Sequence, residues 1–274
     1  MPHPNDNLNT AALATETLFT LALTEEDEDA AWEAISEIQR RGTPEIYLRT
    51  RQLCDSPLVR EREVGADILG QLARPESTYH EESIQILLAM LETEQHPEVL
   101  QSIGMALGHW SDARAILPLI QHQHHIDPDV RHAVAFGLLG HDTPEATAAL
   151  IALSADPYPH VRDWATFGLA VQIDTDTPEI RDALAARLGD SDPDTEGEAM
   201  VGLARRQDLR VLQPLLNTLE SGDVGSLPLE AAIALGNPQL YPALVQLRDQ
   251  WDREHNWEYE MLEEAITSCM PMLD

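Results

Sequence analysis

One type of segment recurs along the chain. Each copy starts near a proline-containing turn and continues into an apolar stretch that ends in Gly-Leu or Leu-Gly. Five copies are clear and a sixth is degenerate, beginning at Asp55, His96, Asp127, Asp156, Asp192 and Val224. The aligned positions are 31 to 34 residues apart, namely Val99, Val130, Val161 and Thr195. This period is typical of a helical hairpin stacked on copies of itself, so the repeat predicts a solenoid.

The apolar residues inside one copy indicate a helix that is buried along one side. Val130, Ala133, Val134, Gly137 and Leu138 recur at helical spacing. Amphipathic segments such as "TPEATAALIALSA" and "DLRVLQPLLNTLE" lie between the copies and supply the other helix of each pair. The low aromatic content, 5%, also favours closely packed helices over a β-sandwich. We therefore expect an all-α, right-handed α-solenoid, or superhelix, of about eight antiparallel helix pairs.

The repeat also sets the expected domain organisation. It predicts one solenoid domain over residues 1–274, with weaker terminal pairs at 1–43 and 238–274 that cap its ends. Asp127 and Asp156 precede the second helix of their units. Their carboxylates are expected to accept hydrogen bonds from the free N–H groups of the first turn.

An Asp-Pro turn followed by Val-Arg and by a later Gly-Leu or Leu-Gly resembles HEAT repeats, in particular the short bacterial kind first named from phycobilisome lyases. Over roughly residues 50–250, segments such as "REREVGADILGQL" and "EAMVGLARRQDLRVLQPL" are similar to bacterial HEAT-repeat proteins regarded as immunity proteins beside Rhs polymorphic toxins. The resemblance implies a protein-binding scaffold without catalysis that neutralises a toxin domain. Two alternatives stay open, a bilin-lyase-like chromophore-binding protein and a general assembly scaffold.

The charge balance restricts the partners. The chain has 48 acidic residues and 17 basic ones, all arginine, for a net charge of -31. Without lysine there is no lysine phosphate-binding loop and no Schiff base. Nucleic acids and anionic membranes would be repelled, whereas a cationic protein, such as a nucleic-acid-attacking toxin domain, would be attracted. Salt adaptation or solubility alone is the competing explanation for this acidity.

Arginine follows the recurring valine in several units. Arg60, Arg131 and Arg162 are expected to form a structural ladder with aspartates of neighbouring units, among them Asp127 and Asp156. The unit that starts at Asp192 has Glu196 in place of the arginine, which interrupts the ladder and adds negative charge.

The second helix of each pair lines the inner, concave surface in this fold, so its unburied residues are the candidate partner contacts. They combine apolar anchors with acidic residues. They are Met105, His132, Phe136, Asp163, Trp164, Phe167, Glu196 and Glu198. The alternative is that the aromatic rings pack between adjacent repeats and meet no partner.

We predict no metal, no cofactor and no enzyme site. The histidines between 120 and 142 fall on different sides of one unit, although zinc needs three or four convergent ligands. The run "DSDPDTEGE" begins like a calcium loop but has Thr195 where glycine is needed and Val201 where glutamate is needed. Cys54 and Cys269 match no redox spacing, and no apolar run reaches about 18 residues, so a cytoplasmic protein is expected.

Overall fold

The computed structural model describes residues 10–25, 27–72, 79–251 and 258–271. Within these ranges the chain is built from α-helices joined by short turns, and they contain no β-strand. The same ranges include no helix that is both long and apolar enough to cross a membrane. The chain divides into two compact units, residues 1–138 and 139–274.

The first unit contains four helix pairs among its described residues. Within each pair the two helices contact each other, and the second helices α2, α4, α6 and α8 pack side by side in a layer. The helices are α1 (Thr15–Thr24), α2 (Glu28–Arg41), α3 (Pro44–Cys54), α4 (Val59–Leu72), α5 (His80–Thr93), α6 (Pro97–Trp110), α7 (Ile116–Ile120) and α8 (Pro128–Gly137).

The second unit repeats this arrangement with four more pairs. The second helices α10, α12, α14 and α16 again pack side by side, and α10 continues into a short π-helical stretch, Gly168–Gln172. The helices are α9 (Pro144–Leu153), α10 (Pro159–Phe167), α11 (Pro178–Ala185), α12 (Pro193–Arg205), α13 (Leu212–Ser221), α14 (Ser226–Leu235), α15 (Tyr241–Gln250) and α16 (Tyr259–Ser268).

The all-α class and the number of helix pairs predicted from the sequence are confirmed for the described part of the chain. Both terminal pairs are present as α1–α2 and α15–α16, although residues 1–9, 252–257 and 272–274 of the predicted caps lie outside the described residues. The same is true of Glu26. The handedness of the stack and its assignment as a single domain stay predictions.

Helix starts follow the turn chemistry of the sequence. Asp127 accepts a hydrogen bond from the N–H of Asp129 at 2.9 Å and caps α8, with Pro128 in the first turn, as predicted. Asp156 differs. Its carboxylate accepts from the N–H of Tyr158, the residue before α10, because the sequence has an extra Tyr-Pro between this aspartate and the helix. This hydrogen bond of Asp156 therefore stabilises the turn that precedes α10.

The core consists of small and branched apolar side chains. On α8 the predicted periodic set is buried: Val130, Ala133, Val134 and Leu138 are each 2% exposed or less, and Gly137 is buried beside them. Burial of a Val or Leu side chain contributes about 1.5–3 kcal/mol. Most of the stability of such short helices must come from this packing, because isolated helices of this length are marginal in water.

Three arginines occupy equivalent places at the turn of their pairs. Arg62, Arg131 and Arg162 each donate to a carbonyl six residues earlier, at 3.0, 2.7 and 3.0 Å. Arg60 does not belong to this set, because it pairs with Glu63 and donates to the carbonyl of Ala22. The sequence alignment was therefore two residues out of register in the first copy, where "RER" offers two arginines.

Two of these arginines also bind an acidic residue of the following pair. Arg62 donates to Glu94 at 2.7 and 3.1 Å, and Arg162 donates to Asp190 at 2.9 and 2.6 Å. Burial raises the pKa of Asp190, but the hydrogen bonds from Arg162 and from the N–H of Asp192, together with the charges of Arg162 and Arg187, outweigh burial, and the pKa is lowered. The wider ladder through Asp127, Arg131 and Asp156 stays a prediction.

Candidate protein-binding faces

The predicted contact residues of the first unit lie on α6 and α8. Met105, His132 and Phe136 are all half-buried. The ring of Phe136 packs against Gly108 so closely that a Cβ atom placed there would lie 2.5 Å from Cδ1 of the ring. His109 contacts the same ring edge-on, with 5.2 Å between ring centres. Phe136 thus packs between adjacent helices, in line with the alternative interpretation, and only part of its ring is available to a partner.

Asp67 on α4 is a residue that the sequence reasoning missed. Burial, together with the charge of Glu63, raises its pKa to about 7 in spite of a hydrogen bond with Ser102. Its place in the repeat is informative, since it follows Arg62 by five residues as Phe136 follows Arg131 and Phe167 follows Arg162. Aligning the repeats on Arg62 would have indicated that Asp67 is equivalent to two candidate contacts.

In the second unit, the residues of interest come from three neighbouring second helices. Asp163, Trp164 and Phe167 lie on α10, Glu198 on α12 and Glu230 on α14. We call this set the acidic-aromatic face. Trp164 and Phe167 contact each other edge-on, with 6.0 Å between ring centres, and both are half-buried. Such rings can anchor an interface because they bury a large area at a small entropic cost.

A glycine lets α14 approach α12 next to this face. A Cβ atom on Gly197 would lie 2.7 Å from Cδ1 and 2.8 Å from Cβ of Leu227, so a larger residue would push the helices apart. Glu198 follows Gly197 directly on α12. Its carboxyl group is close enough to Glu230 on α14 for the two like charges to interact.

Burial and like charges hold protons on this face. The pKa of Glu198 is raised to about 7 by burial first and then by the charges of Asp163, Glu230 and Asp194, while Arg205 opposes the shift. Burial, with Asp192 and Asp194, raises the pKa of Asp163 to about 6. An unpaired carboxylate in such a site is costly, so both groups ionise only at a pH above their usual range.

Arg205, the nearby cation, does not neutralise Asp163 and Glu198. Arg205 is 2.8 Å from the carboxylate of Glu230. The Oε2 atom of Glu198 is buried and has no hydrogen-bond partner. Within the described ranges, no arginine or histidine forms an ion pair with either Asp163 or Glu198. Two carboxyl groups beside an aromatic pair therefore lack a positive partner within the described unit.

Glu196 lies in a different environment from Glu198. Its Oε1 atom accepts a hydrogen bond from the N–H of Gly189 at 2.9 Å. It also lines a cavity of about 430 Å³ with residues of α13, the first helix of the next pair, including Pro214 and Thr218. The structure thus separates Glu196 from the acidic-aromatic face, although the sequence grouped them as contacts.

The histidine-rich and aspartate-rich segments have local roles. His125 accepts a hydrogen bond at Nδ1 from the N–H of Asp127, 3.1 Å away. Asp192 caps α12 by accepting from the N–H of Thr195 at 2.9 Å, and Asp190 is bound by Arg162. Among the residues that the structure describes, no group of three or more histidine, cysteine or acidic side chains is arranged to hold a metal ion.

Comparison with known families identifies the repeat. A family model described as HEAT repeats matches residues 84–170 and 149–236, which together make up more than half of the chain. The chain belongs to the HEAT-repeat family. The fold implied by the sequence resemblance is thereby confirmed.

Individual HEAT-repeat proteins are similar to this chain over part or most of its length. Protein YibA of Escherichia coli K12 is 30% identical over 124 residues, which cover 45% of this chain and 44% of YibA, and the O157:H7 protein gives the same values. The sequence match thus spans less than half of these relatives. The X-ray structure of E. coli YibA superposes with a TM-score of 0.76 at 25% identity, over 95% of this chain and 93% of YibA.

A second solved structure shares the fold at lower identity. The complex of CpcE and CpcF of phycocyanin lyase from Nostoc sp. PCC7120 superposes with a TM-score of 0.50 and 16% identity, over 98% of this chain and 99% of the matched chain. This likeness shows a common helical-repeat architecture and no more.

Proposed function

We propose that this HEAT-repeat protein is a non-catalytic scaffold that binds a cationic protein on its second helices. The observation that carries the proposal is the acidic-aromatic face, where Asp163 and Glu198 lack a cation beside the rings of Trp164 and Phe167. A net charge of -31 would speed the approach of a basic protein, and the rings would supply buried contact.

The partner we favour is a basic toxin domain, and the protein would act as its immunity protein in the cytoplasm. The resemblance to YibA-like HEAT-repeat proteins supports this finer role, and the acidity fits a toxin that is cationic because it attacks nucleic acid. Both cysteines are buried free thiols, in keeping with a reducing compartment. Binding would cover the active site of the toxin and exclude its substrate.

Affinity capture from the native lysate at low and moderate salt, with mass spectrometry, would find the partner. We expect one dominant basic protein that is retained at moderate salt. A diffuse set of basic proteins that is lost as salt rises would argue against a specific partner, because exposed charges are screened within about 8 Å at physiological salt. Retention of a linear tetrapyrrole would instead favour the lyase-like alternative.

The captured protein, once purified, permits a test with matched variants. The double variant Trp164→Ala with Glu198→Gln should bind it at least about tenfold more weakly. The control is Trp32→Ala with Glu220→Gln, which removes one exposed tryptophan and one exposed glutamate from other helices. Equal weakening by both pairs would mean that overall charge, and not the acidic-aromatic face, determines binding. Loss of nuclease or other toxic activity in the complex would test neutralisation directly.

A further inference from the structure

We infer that Asp163 and Glu198 together receive an arginine side chain of the cationic partner, with its guanidinium group beside Trp164. This inference rests on the proposed function and specifies the group that the acidic-aromatic face would recognise. It concerns the second unit alone.

In the free chain, the carboxyl group of Glu198 is surrounded mainly by other acidic groups. The groups that face Glu198 are Asp163 from α10, Glu230 from α14, and Asp194 and Arg205 from its own helix. Three of these four are acidic, and Arg205 is already bound to Glu230 at 2.8 Å. The buried Oε2 atom of Glu198 has no donor. A cation brought by the partner would supply the donor that this carboxyl group lacks, once the half-buried side chain of Glu198 turns outward to meet it.

The aromatic ring next to these carboxyl groups favours arginine over lysine. Trp164 follows Asp163 on α10 and is half-buried against the edge of Phe167. A guanidinium group is planar, donates in several directions to carboxylates and stacks on aromatic faces, whereas an ammonium group is a compact and strongly hydrated charge. A site with two carboxyl groups and an indole ring therefore suits arginine better.

Protonation gives this binding a characteristic signature. Burial is the largest effect on Asp163, and the groups that face it, Glu198 and Asp194 from α12 and Asp192 from the turn before α12, are all acidic. Since the free carboxyl groups hold protons near neutral pH, an incoming guanidinium should displace them. Binding at pH 6.5 should accordingly release protons to the buffer, which calorimetry in two buffers of different ionisation enthalpy can measure.

The direct test uses a short acetylated peptide of alternating arginine and alanine, with lysine and citrulline counterparts, titrated at pH 8. The variant is Asp163→Asn with Glu198→Gln, and the control, Glu179→Gln with Glu220→Gln, removes the same charge from exposed positions on α11 and α13. We expect the variant to lose at least about tenfold in affinity for the arginine peptide, and the control less than about twofold. The wild type should prefer arginine over lysine.

Three results would overturn the inference: equal loss in variant and control, equal affinity for the arginine and lysine peptides, or binding at pH 6.5 without proton release. These outcomes are separable from failure of the proposed function. If Asp163→Asn with Glu198→Gln still binds the captured basic protein as tightly as the wild type, the arginine site is wrong while protein binding stands. If the arginine site is confirmed but the lysate holds no specific partner, the proposed function fails alone.

Discussion

Arg162 and Asp190 form a buried, two-bond ion pair that joins α10 to the turn before α12, with Nε and one terminal nitrogen donating at 2.9 and 2.6 Å. Their side chains are 10% and 6% exposed. The same guanidinium group donates to the carbonyls of Asp156 and Pro157. One side chain therefore fixes the turn of its own pair and the start of the next.

Replacing Arg162 by alanine should be strongly destabilising. The change leaves the Asp190 carboxylate buried with the N–H of Asp192, 3.1 Å away, and the weaker contact to Arg187, 3.4 Å away, and it removes the donor from two carbonyls. We expect the free energy of unfolding to fall by about 3 kcal/mol, measured by urea denaturation. Arg248→Ala, at a more exposed arginine near the end of α15, serves as the control and should change it by less than about 0.5 kcal/mol.

Filling the space at Gly197 should separate two second helices. A valine there would bring its side chain into Leu227, which already lies within 2.8 Å of the site of a Cβ atom. We expect a loss of about 2 kcal/mol in unfolding free energy. Gly225→Val is the matched control, because nothing lies within 4 Å of its Cβ position and its backbone is extended. If both variants unfold alike, close packing of α12 on α14 is not what Gly197 provides.

Glu198→Gln should stabilise the free chain at alkaline pH. The folded-state pKa of Glu198, about 7, lies above the ordinary value of 4.5, so the folded state retains a proton that the unfolded state loses first. The contribution of Glu198 to stability therefore falls as pH rises from about 4.5 to about 7. Allowing for solvent screening of a partly exposed group, we expect the variant to gain about 1 kcal/mol at pH 8.

The pH dependence gives the check for this variant. The gain should be small at pH 4.5, grow up to pH 7 and then stay constant, as followed by denaturation at a series of pH values. Glu220→Gln, on the exposed side of α13, is the matched control, because it removes the same charge from the surface. A gain that is the same at every pH would contradict the explanation, since it would not arise from ionisation of Glu198.

Trp164→Ala should weaken partner binding more than it weakens the fold. The indole is only half-buried, so its removal costs less packing than the loss of a fully buried side chain, but it deletes the largest anchor of the acidic-aromatic face. We expect at least about tenfold weaker binding of the captured basic protein. Trp32→Ala, which removes a 51% exposed tryptophan from α2, should leave the affinity within about twofold. The opposite order would place the contact on the first pair of helices.

The fold could be predicted from the sequence because every unit repeats the same pattern of buried positions and helix-start residues. Val130, Val134 and Leu138 mark one buried side of α8, and Pro128 with Asp127 marks its start, so local pattern and packing agree. Register within a degenerate copy was less certain. The segment "RER" offers Arg60 and Arg62 at once, and only the carbonyl of Ser56 shows which one is equivalent to Arg131.

The candidate site could be predicted only in part from the sequence. The sequence proposed Asp163, Trp164, Phe167 and Glu198, and the structure brings them together on adjacent helices. The sequence could not show that Glu196, two residues before Glu198, lines a cavity beside α13 and lies away from the acidic-aromatic face, since helical spacing alone does not give the depth of each side chain. Nor could the sequence show that Arg205 forms an ion pair with Glu230, because the two residues are 25 positions apart.

The turns between helices are held by arginine, whose charge is the same at any physiological pH, whereas Asp67, Asp163 and Glu198 on the second helices titrate near neutrality. Holding the turns and attracting a partner therefore depend on two different kinds of chemical group. A change in acidity, or the arrival of a cation, can thus alter what the surface attracts while the arginines that hold the turns keep their charge and their contacts, and mutation can vary the one group while leaving the other intact.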